Sequence, residues 1–123
     1  MLLSRSIAAA VIVLAASPAL AGGDAANGKT IFNRCAMCHS AAKGAPNRIG
    51  PNLWGVVGCK AGTAPGFNYS AALKNSSITW TPENLAKWVR GPGRMVPGTR
   101  MMFAGLSSQT QADDVVAYLK TLK

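Results

Sequence analysis

The stretch Cys35-Ala36-Met37-Cys38-His39 decides how the rest of the chain is read. Two thiols three positions apart, followed at once by an imidazole, form the attachment motif of a c-type haem. Each thiol adds to one vinyl group of the porphyrin, and the short tether holds His39 where a ring nitrogen can bind the iron. Three other chemistries draw on similar residues: a thioredoxin-like dithiol, half of a zinc site and an ordinary structural disulfide. The dithiol needs a strand–helix–strand setting, which the neighbouring sequence lacks. A zinc site needs a second ligand pair, and only Cys59 is left over, with no second histidine. Haem attachment agrees with both the chemistry and the spacing.

Upstream of this motif, residues 1–21 carry an early Arg5, an unbroken apolar run from Ile7 to Ala16 and the small-residue sequence Ala19-Leu20-Ala21. This is the pattern of a secretory signal peptide, cleaved before Gly22. The apolar run is too short to span a bilayer, and no later stretch approaches the roughly 18 to 20 apolar residues a membrane helix needs. The expected product is one soluble domain over residues 22–123, exported to the periplasm, with no integral membrane segment.

Export bears on the cysteines, because an oxidising compartment pairs loose thiols. Haem consumes Cys35 and Cys38, leaving Cys59 without a partner. An exposed odd thiol invites dimerisation; the expectation here is a buried, inert side chain and a monomer. Removing Arg5 with the leader leaves twelve Lys and Arg against four Asp and Glu, so the formal charge falls from +9 to +8. Such a balance suits acidic partner proteins, nucleic acid or an anionic membrane surface, and by itself does not choose among them. The basic residues are scattered and no recognition motif appears, which speaks against nucleic acid.

Helical spacing appears in three places. Asp24 caps a first helix whose face carries Ala25, Gly28, Phe32 and Cys35. Thr81-Pro82-Glu83 opens a second, with Leu85, Trp88 and Val89 on its apolar side, and Gly91-Pro92 stops it. Thr110, with Asp113 three residues on, is expected to cap the last helix. There Val115, Tyr118, Leu119 and Leu122 make the apolar stripe, while Asp114 and Lys120 take other faces. A short turn near Ser70 to Asn75 is also expected. From Ser40 to Ile78 and from Gly91 to Ser108 glycine and proline interrupt any period. The first and last helices are natural partners, because Gly28 permits a close crossing. Long loops in so small a domain are answered by a haem, whose apolar disc they can wrap, so folding should depend on the cofactor.

Beyond the motif, Gly28-Lys29-Thr30-Ile31-Phe32, Gly50-Pro51-Asn52-Leu53, Ala64-Pro65-Gly66-Phe67, Ile78-Thr79-Trp80, Pro97-Gly98-Thr99-Arg100-Met101 and Val116-Ala117-Tyr118-Leu119-Lys120 are similar to class I cytochromes c of the mitochondrial type and their exported bacterial relatives. The resemblance covers essentially residues 23–123. It implies an all-α single domain of helices and long loops around one covalently bound haem c. It also implies a soluble electron carrier rather than an enzyme, serving acidic redox partners. Chemistry alone leaves Met37, Met95, Met101 and Met102 as candidates for the second iron ligand, with Met95 and Met102 read as packing residues. The resemblance selects Met101. It also implies that the Pro51 carbonyl holds His39, that Tyr69 and Trp80 bond a haem propionate, and that the Thr99 hydroxyl approaches the methionine side.

Several positions depart from the family pattern. Cys59 stands where an arginine usually faces a propionate, Leu73 where an asparagine lies near the haem, and Trp88 where a tyrosine is usual. The ring of lysines is thin, leaving Arg34, Arg48, Arg94 and Arg100 as candidates around the haem edge. A haem enzyme or gas sensor, which needs an open or labile sixth site, is the alternative function.

Overall fold

Asp24 starts the first helix by local chemistry. In the computed structural model, which describes residues 8–13 and 22–123, its carboxylate accepts from the Ala26 and Asn27 N–H groups at 2.9 and 3.1 Å. A cap of this kind is worth about 1 kcal/mol. Helix α1 runs Ala25–Ile31 and tightens into a 3₁₀ turn over Phe32–Arg34, so Cys35 lies just past the helical face expected to carry it. The leader expected over residues 1–21 falls outside the described residues except for 8–13, which are exposed.

Four further helices follow: α2 over Ala71–Lys74, α3 over Pro82–Arg90, α4 over Pro92–Met95 and α5 over Gln109–Leu119. Ser70 caps α2 and Thr81 caps α3, each through its hydroxyl. Proline at the first position of α3 lacks the N–H that would otherwise be orphaned there. Gly91-Pro92 ends α3 as expected but also begins α4, a single turn where loop was expected. Arg94 then folds back and donates to the Arg90 carbonyl at 2.9 Å, placing a cation on the C-terminal end of α3. The cap of α5 is Ser108, whose hydroxyl accepts from the Gln111 N–H at 3.1 Å. Thr110, the expected cap, lies inside the first turn.

Helices α1 and α5 cross where Gly28 is buried. A Cβ on Gly28 would overlap the Asp114 carbonyl and lie 3.0 Å from the Tyr118 Cβ. Asp114 is not on an outer face, as the helical pattern suggested: it is 5% exposed and bonds across the crossing. Its carboxylate accepts from the Asp24 N–H at 2.8 Å and from the Asn27 amide at 2.6 Å. These donors hold its pKa below the ordinary carboxylate value. The rings of Phe32 and Tyr118 meet beside it, 5.1 Å between centroids.

The apolar side of α5, with Ala112 and Val115 fully buried, also packs on α3, where Leu85, Ala86, Trp88 and Val89 point inward. Among the described residues there is no strand, only an isolated antiparallel bridge between Lys60 and Thr79. The loop from 40 to 70 is tied by side chains instead. Asn52 donates its amide to the Ala42 and Ala45 carbonyls, and Asn47 accepts from the Asn52 N–H and donates to the Pro65 carbonyl. The Gly55 N–H reaches the Leu122 carbonyl at 2.8 Å, fastening that loop to the end of the chain. No helix among the described residues is long and apolar enough to cross a membrane.

Candidate functional site

The loops and helices enclose a cavity of about 1120 Å³ between the Cys35–His39 turn on one side and the Thr99–Phe103 segment. That is at or above the usual size for small-molecule and cofactor sites, about 300–1,000 Å³. Leu53, Leu73, Trp80, Leu85, Trp88 and Leu119 give it an apolar wall.

Backbone bonds from the Cys38 and His39 N–H groups to the Cys35 carbonyl, at 3.0 and 2.9 Å, wind the motif into a turn. Both thiols are free and half-buried on the cavity wall, so they form no disulfide. Burial pushes the Cys35 thiol up to about 11, against the pull of Arg34 and with a smaller push from Cys38. Among the described residues no group of three His, Cys, Asp or Glu side chains could hold a metal ion, which removes the zinc reading.

The His39 Nδ1–H donates to the Pro51 carbonyl at 2.7 Å. This bond fixes the tautomer and leaves Nε2 as the lone-pair nitrogen, the arrangement of a metal-ligating imidazole. Burial lowers the His39 pKa, Pro51 opposes that shift and the Arg48 cation adds to it, so the ring is held neutral. Gly50, which the sequence marks only as a loop breaker, sits against this imidazole. A Cβ there would lie 2.6 Å from Nδ1 and 2.8 Å from Nε2. Position 50 has no side chain because the ring occupies that space.

Of the four candidate methionines, Met101 is half-buried against the core and lines the cavity. Its N–H donates to the Thr99 hydroxyl at 3.4 Å. Met95 packs partly on the core at a separate groove, as a packing residue should. Met102 does not pack: it is 97% exposed at the cavity rim, since Met101 takes the inward position and its neighbour is turned to solvent.

Tyr69 and Trp80 both line the cavity. The Tyr69 oxygen accepts from the Ala64 N–H at 3.0 Å, which leaves its own O–H to donate elsewhere. Burial raises the phenol pKa, keeping that proton in place. Trp80 is buried with its ring 5.2 Å from that of Trp88. Cys59, expected to be buried, is exposed; it lines the same cavity and its thiol donates to the Gly55 carbonyl at 3.1 Å.

Arg34, Lys60 and Arg100 line the cavity, and among the described residues no carboxylate does. Arg48 stands beside it, donating to the Ala36 and Met37 carbonyls at 2.7 and 3.1 Å. Arg94 does not belong to this set. It lies with Glu83 and Asp113 along a second groove, of about 810 Å³, between α3 and α5. All the acidic residues of 22–123 are thus at that groove or in the α1–α5 crossing.

Two free thiols, a tautomer-fixed imidazole with glycine behind it, a thioether and an apolar wall fit a covalently attached haem. Residues 25–123 match the family model described as cytochrome c. The cytochrome c2 of Blastochloris viridis is 45% identical over 117 residues, covering 94% of this chain and 92% of its own. The cytochrome c of Euglena viridis is 48% identical over 102 residues, 82% of this chain and 99% of its own. The solved cytochrome cH from Methylobacterium extorquens superposes with a TM-score of 0.76 at 47% identity, covering 80% of this chain and 99% of its own. On its fold, its cavity and these relatives, the chain belongs to the cytochrome c family of electron carriers, and its cofactor is covalently attached haem c.

Proposed function

We propose that the protein moves one electron at a time between redox partner proteins, and that Cys35 and Cys38 would hold a haem whose iron His39 and Met101 would ligate. The observation that carries this reading is that these four side chains line one cavity that, among the described residues, bears cations and no carboxylate. Haem supplies the one-electron iron couple. The protein supplies the rest. Its bond to Pro51 aims His39 Nε2 and raises its basicity as a ligand. Met101 offers a thioether, which favours ferrous iron and raises the potential. Tyr69 and Trp80, each an apolar ring with one polar hydrogen, would donate to a haem carboxylate. With His39 and Met101 both ligating, no position would be left open for a substrate, which favours a carrier over an enzyme or gas sensor.

The partners in this reading are acidic proteins, met in the periplasm by a monomer of residues 22–123 after removal of the leader. Cations at the mouth and carboxylates elsewhere turn the cavity toward a negatively charged surface during approach. Optical spectra and redox titration of two variants test the ligation. Met101→Ala lowers the potential and opens the iron to added ligands such as cyanide or imidazole, whereas Met102→Ala leaves the sixth ligand in place. The opposite pattern would move the ligand to Met102. Acid extraction checks the attachment: all haem stays with the polypeptide, and a Cys35→Ala/Cys38→Ala variant yields no holoprotein.

A further inference from the structure

Of the seven asparagines in the chain, Asn27 alone is followed by glycine. That pair is the one most prone to lose its amide, because the next residue's nitrogen attacks the asparagine Cγ and a glycine has no Cβ to obstruct the approach. In this fold the pair sits at the crossing of α1 and α5. The Asn27 amide donates to Asp114 Oδ2 at 2.6 Å, and the Gly28 N–H donates to the Asp24 carbonyl at 2.8 Å. Gly28 is buried against the Asp114 carbonyl. All three features oppose the reaction. The attacking nitrogen is committed to a helical bond, water and hydroxide are kept from its proton, and the side chain that must swing onto it is tethered to α5.

We propose that Asn27-Gly28 is a self-modification site closed by folding, so that a chain left without haem converts Asn27 to an acid and loses the clasp between its terminal helices. The co-reactant is water. The Gly28 nitrogen gives up its proton and bonds to Asn27 Cγ, the C–N bond of the side-chain amide breaks, and the nitrogen released takes a proton and leaves as ammonia. Water then opens the cyclic imide. Breaking the new bond leaves aspartate at position 27; breaking the original peptide bond leaves isoaspartate, with the chain running through Cγ and one carbon longer.

Either product is wrong for the clasp. Asp114 is 5% exposed, and neutral donors satisfy its carboxylate, the Asp24 N–H and the Asn27 amide. A carboxylate at position 27 replaces one of those donors with a second anion, so one of the two must hold a proton or the helices part. Isoaspartate also lengthens the backbone next to Gly28, where α1 lies against the Asp114 carbonyl. Haem bears on the site through the core: Phe32, just past α1, and Val115 and Leu119 of α5 line the haem cavity, so the wall that carries the crossing is completed by the cofactor.

Peptide mass mapping, with chromatographic separation of isoaspartyl peptides, follows three samples through one incubation at mildly alkaline pH: native holoprotein, holoprotein unfolded in guanidinium chloride, and the purified Cys35→Ala/Cys38→Ala apo chain. Asn27 should convert at least about tenfold faster in the last two, because a reaction confined to the open chain scales with the population of that state. Equal rates in native and unfolded holoprotein, or an apo chain as slow as native holoprotein, would overturn the proposal. Asn27→Asp mimics the simpler product. At neutral pH it should raise the unfolded fraction of holoprotein by about tenfold or more, the factor that one unit of pKa displacement carries. Asn27→Asp/Asp114→Asn, which exchanges the anion and the amide, should recover most of that loss. A single variant as stable as the parent, or a double variant no better than the single, would overturn the link between the new charge and the clasp and the proposal with it.

Discussion

Replacing Gly28 with alanine sets two well-known effects against each other. In a helix interior the change should stabilise by about 1 kcal/mol, because alanine restricts the unfolded chain and favours the helix. At the α1–α5 crossing the new Cβ overlaps the Asp114 carbonyl oxygen, lies 2.5 Å from the carbonyl carbon and 3.0 Å from the Tyr118 Cβ. Comfortable carbon contacts are about 3.5–4.0 Å, so the two helices must separate by on the order of 1 Å. The obstacle is backbone and no rotamer relieves it, which puts the cost near the upper end of overpacking, about 3 kcal/mol. The net loss is then about 2 kcal/mol. At about 4–8 °C per kcal/mol for a domain of this size, Tm should fall by roughly 8–16 °C. Thermal unfolding of the holoprotein, followed by circular dichroism, measures it, with the visible spectrum below Tm unchanged because Gly28, Asp114 and Tyr118 do not line the haem cavity. Gly93→Ala is the control: it lies in α4 and its Cβ meets nothing within 4 Å, so with no clash to oppose it the change should be neutral or stabilising by up to about 1 kcal/mol. A Gly28→Ala protein as stable as the parent, or more so, would refute the argument that this contact dictates glycine.

Asp114→Asn should remove part of the acid sensitivity of folding. The folded-state pKa of Asp114 is depressed, so its contribution is complete above the ordinary carboxylate value and is lost as pH falls through the lower folded value. Urea unfolding across that acid range should show a shallower pH slope in the variant, and an identical slope would contradict the assignment. Gly50→Ala should push the His39 ring off the Pro51 carbonyl, giving a low holoprotein yield and an altered spectrum; a normal yield and spectrum would mean the ring has room to spare. Reversing Arg34 or Arg100 to glutamate should slow electron transfer to an acidic partner more than reversing Lys123, and the difference should fade as salt is added. Stopped-flow rates across a salt series check this, with equal, salt-independent effects counting against a cationic docking face.

What was legible in the sequence was whatever chemistry acts between near neighbours. The haem motif, the Asp24 and Thr81 caps, the turn at Ser70 and the Gly28 crossing all depend on residues within a few positions, or on the periodicity of one helix. The failures involve partners supplied from afar. A carboxylate in a helical pattern is ordinarily assigned to solvent, and nothing local to Asp114 announces that Asp24 and Asn27 will arrive to satisfy both oxygens. Ser107, Ser108 and Thr110 all offer hydroxyls near the start of α5, and only the approach of the preceding loop settles on Ser108. Met102 reads as a packing residue, and nothing local to it announces that it stands in solvent while Met101 lies half-buried against the core. Gly50 carried no signal of its role, since its neighbour His39 is eleven residues away and the constraint is an excluded volume rather than a bond.

The clasp between the two ends of the chain has a consequence for how freely the protein can vary. Asp24 and Asp114 are joined across 90 residues, and Asn27 and Asp114 across 87, so the domain is one large closed loop. The entropy of closing such a loop rises only with the logarithm of its length, by about 0.6 kcal/mol per doubling. Adding five or ten residues at an exposed point such as Lys43-Gly44, where a side chain on the glycine would meet nothing, therefore changes the closure term by about a tenth of a kcal/mol. Removing α5 releases the clasp and exposes the core together. In terms of closure entropy the chain is tolerant of growth in its middle, and it is intolerant of shortening at its last helix.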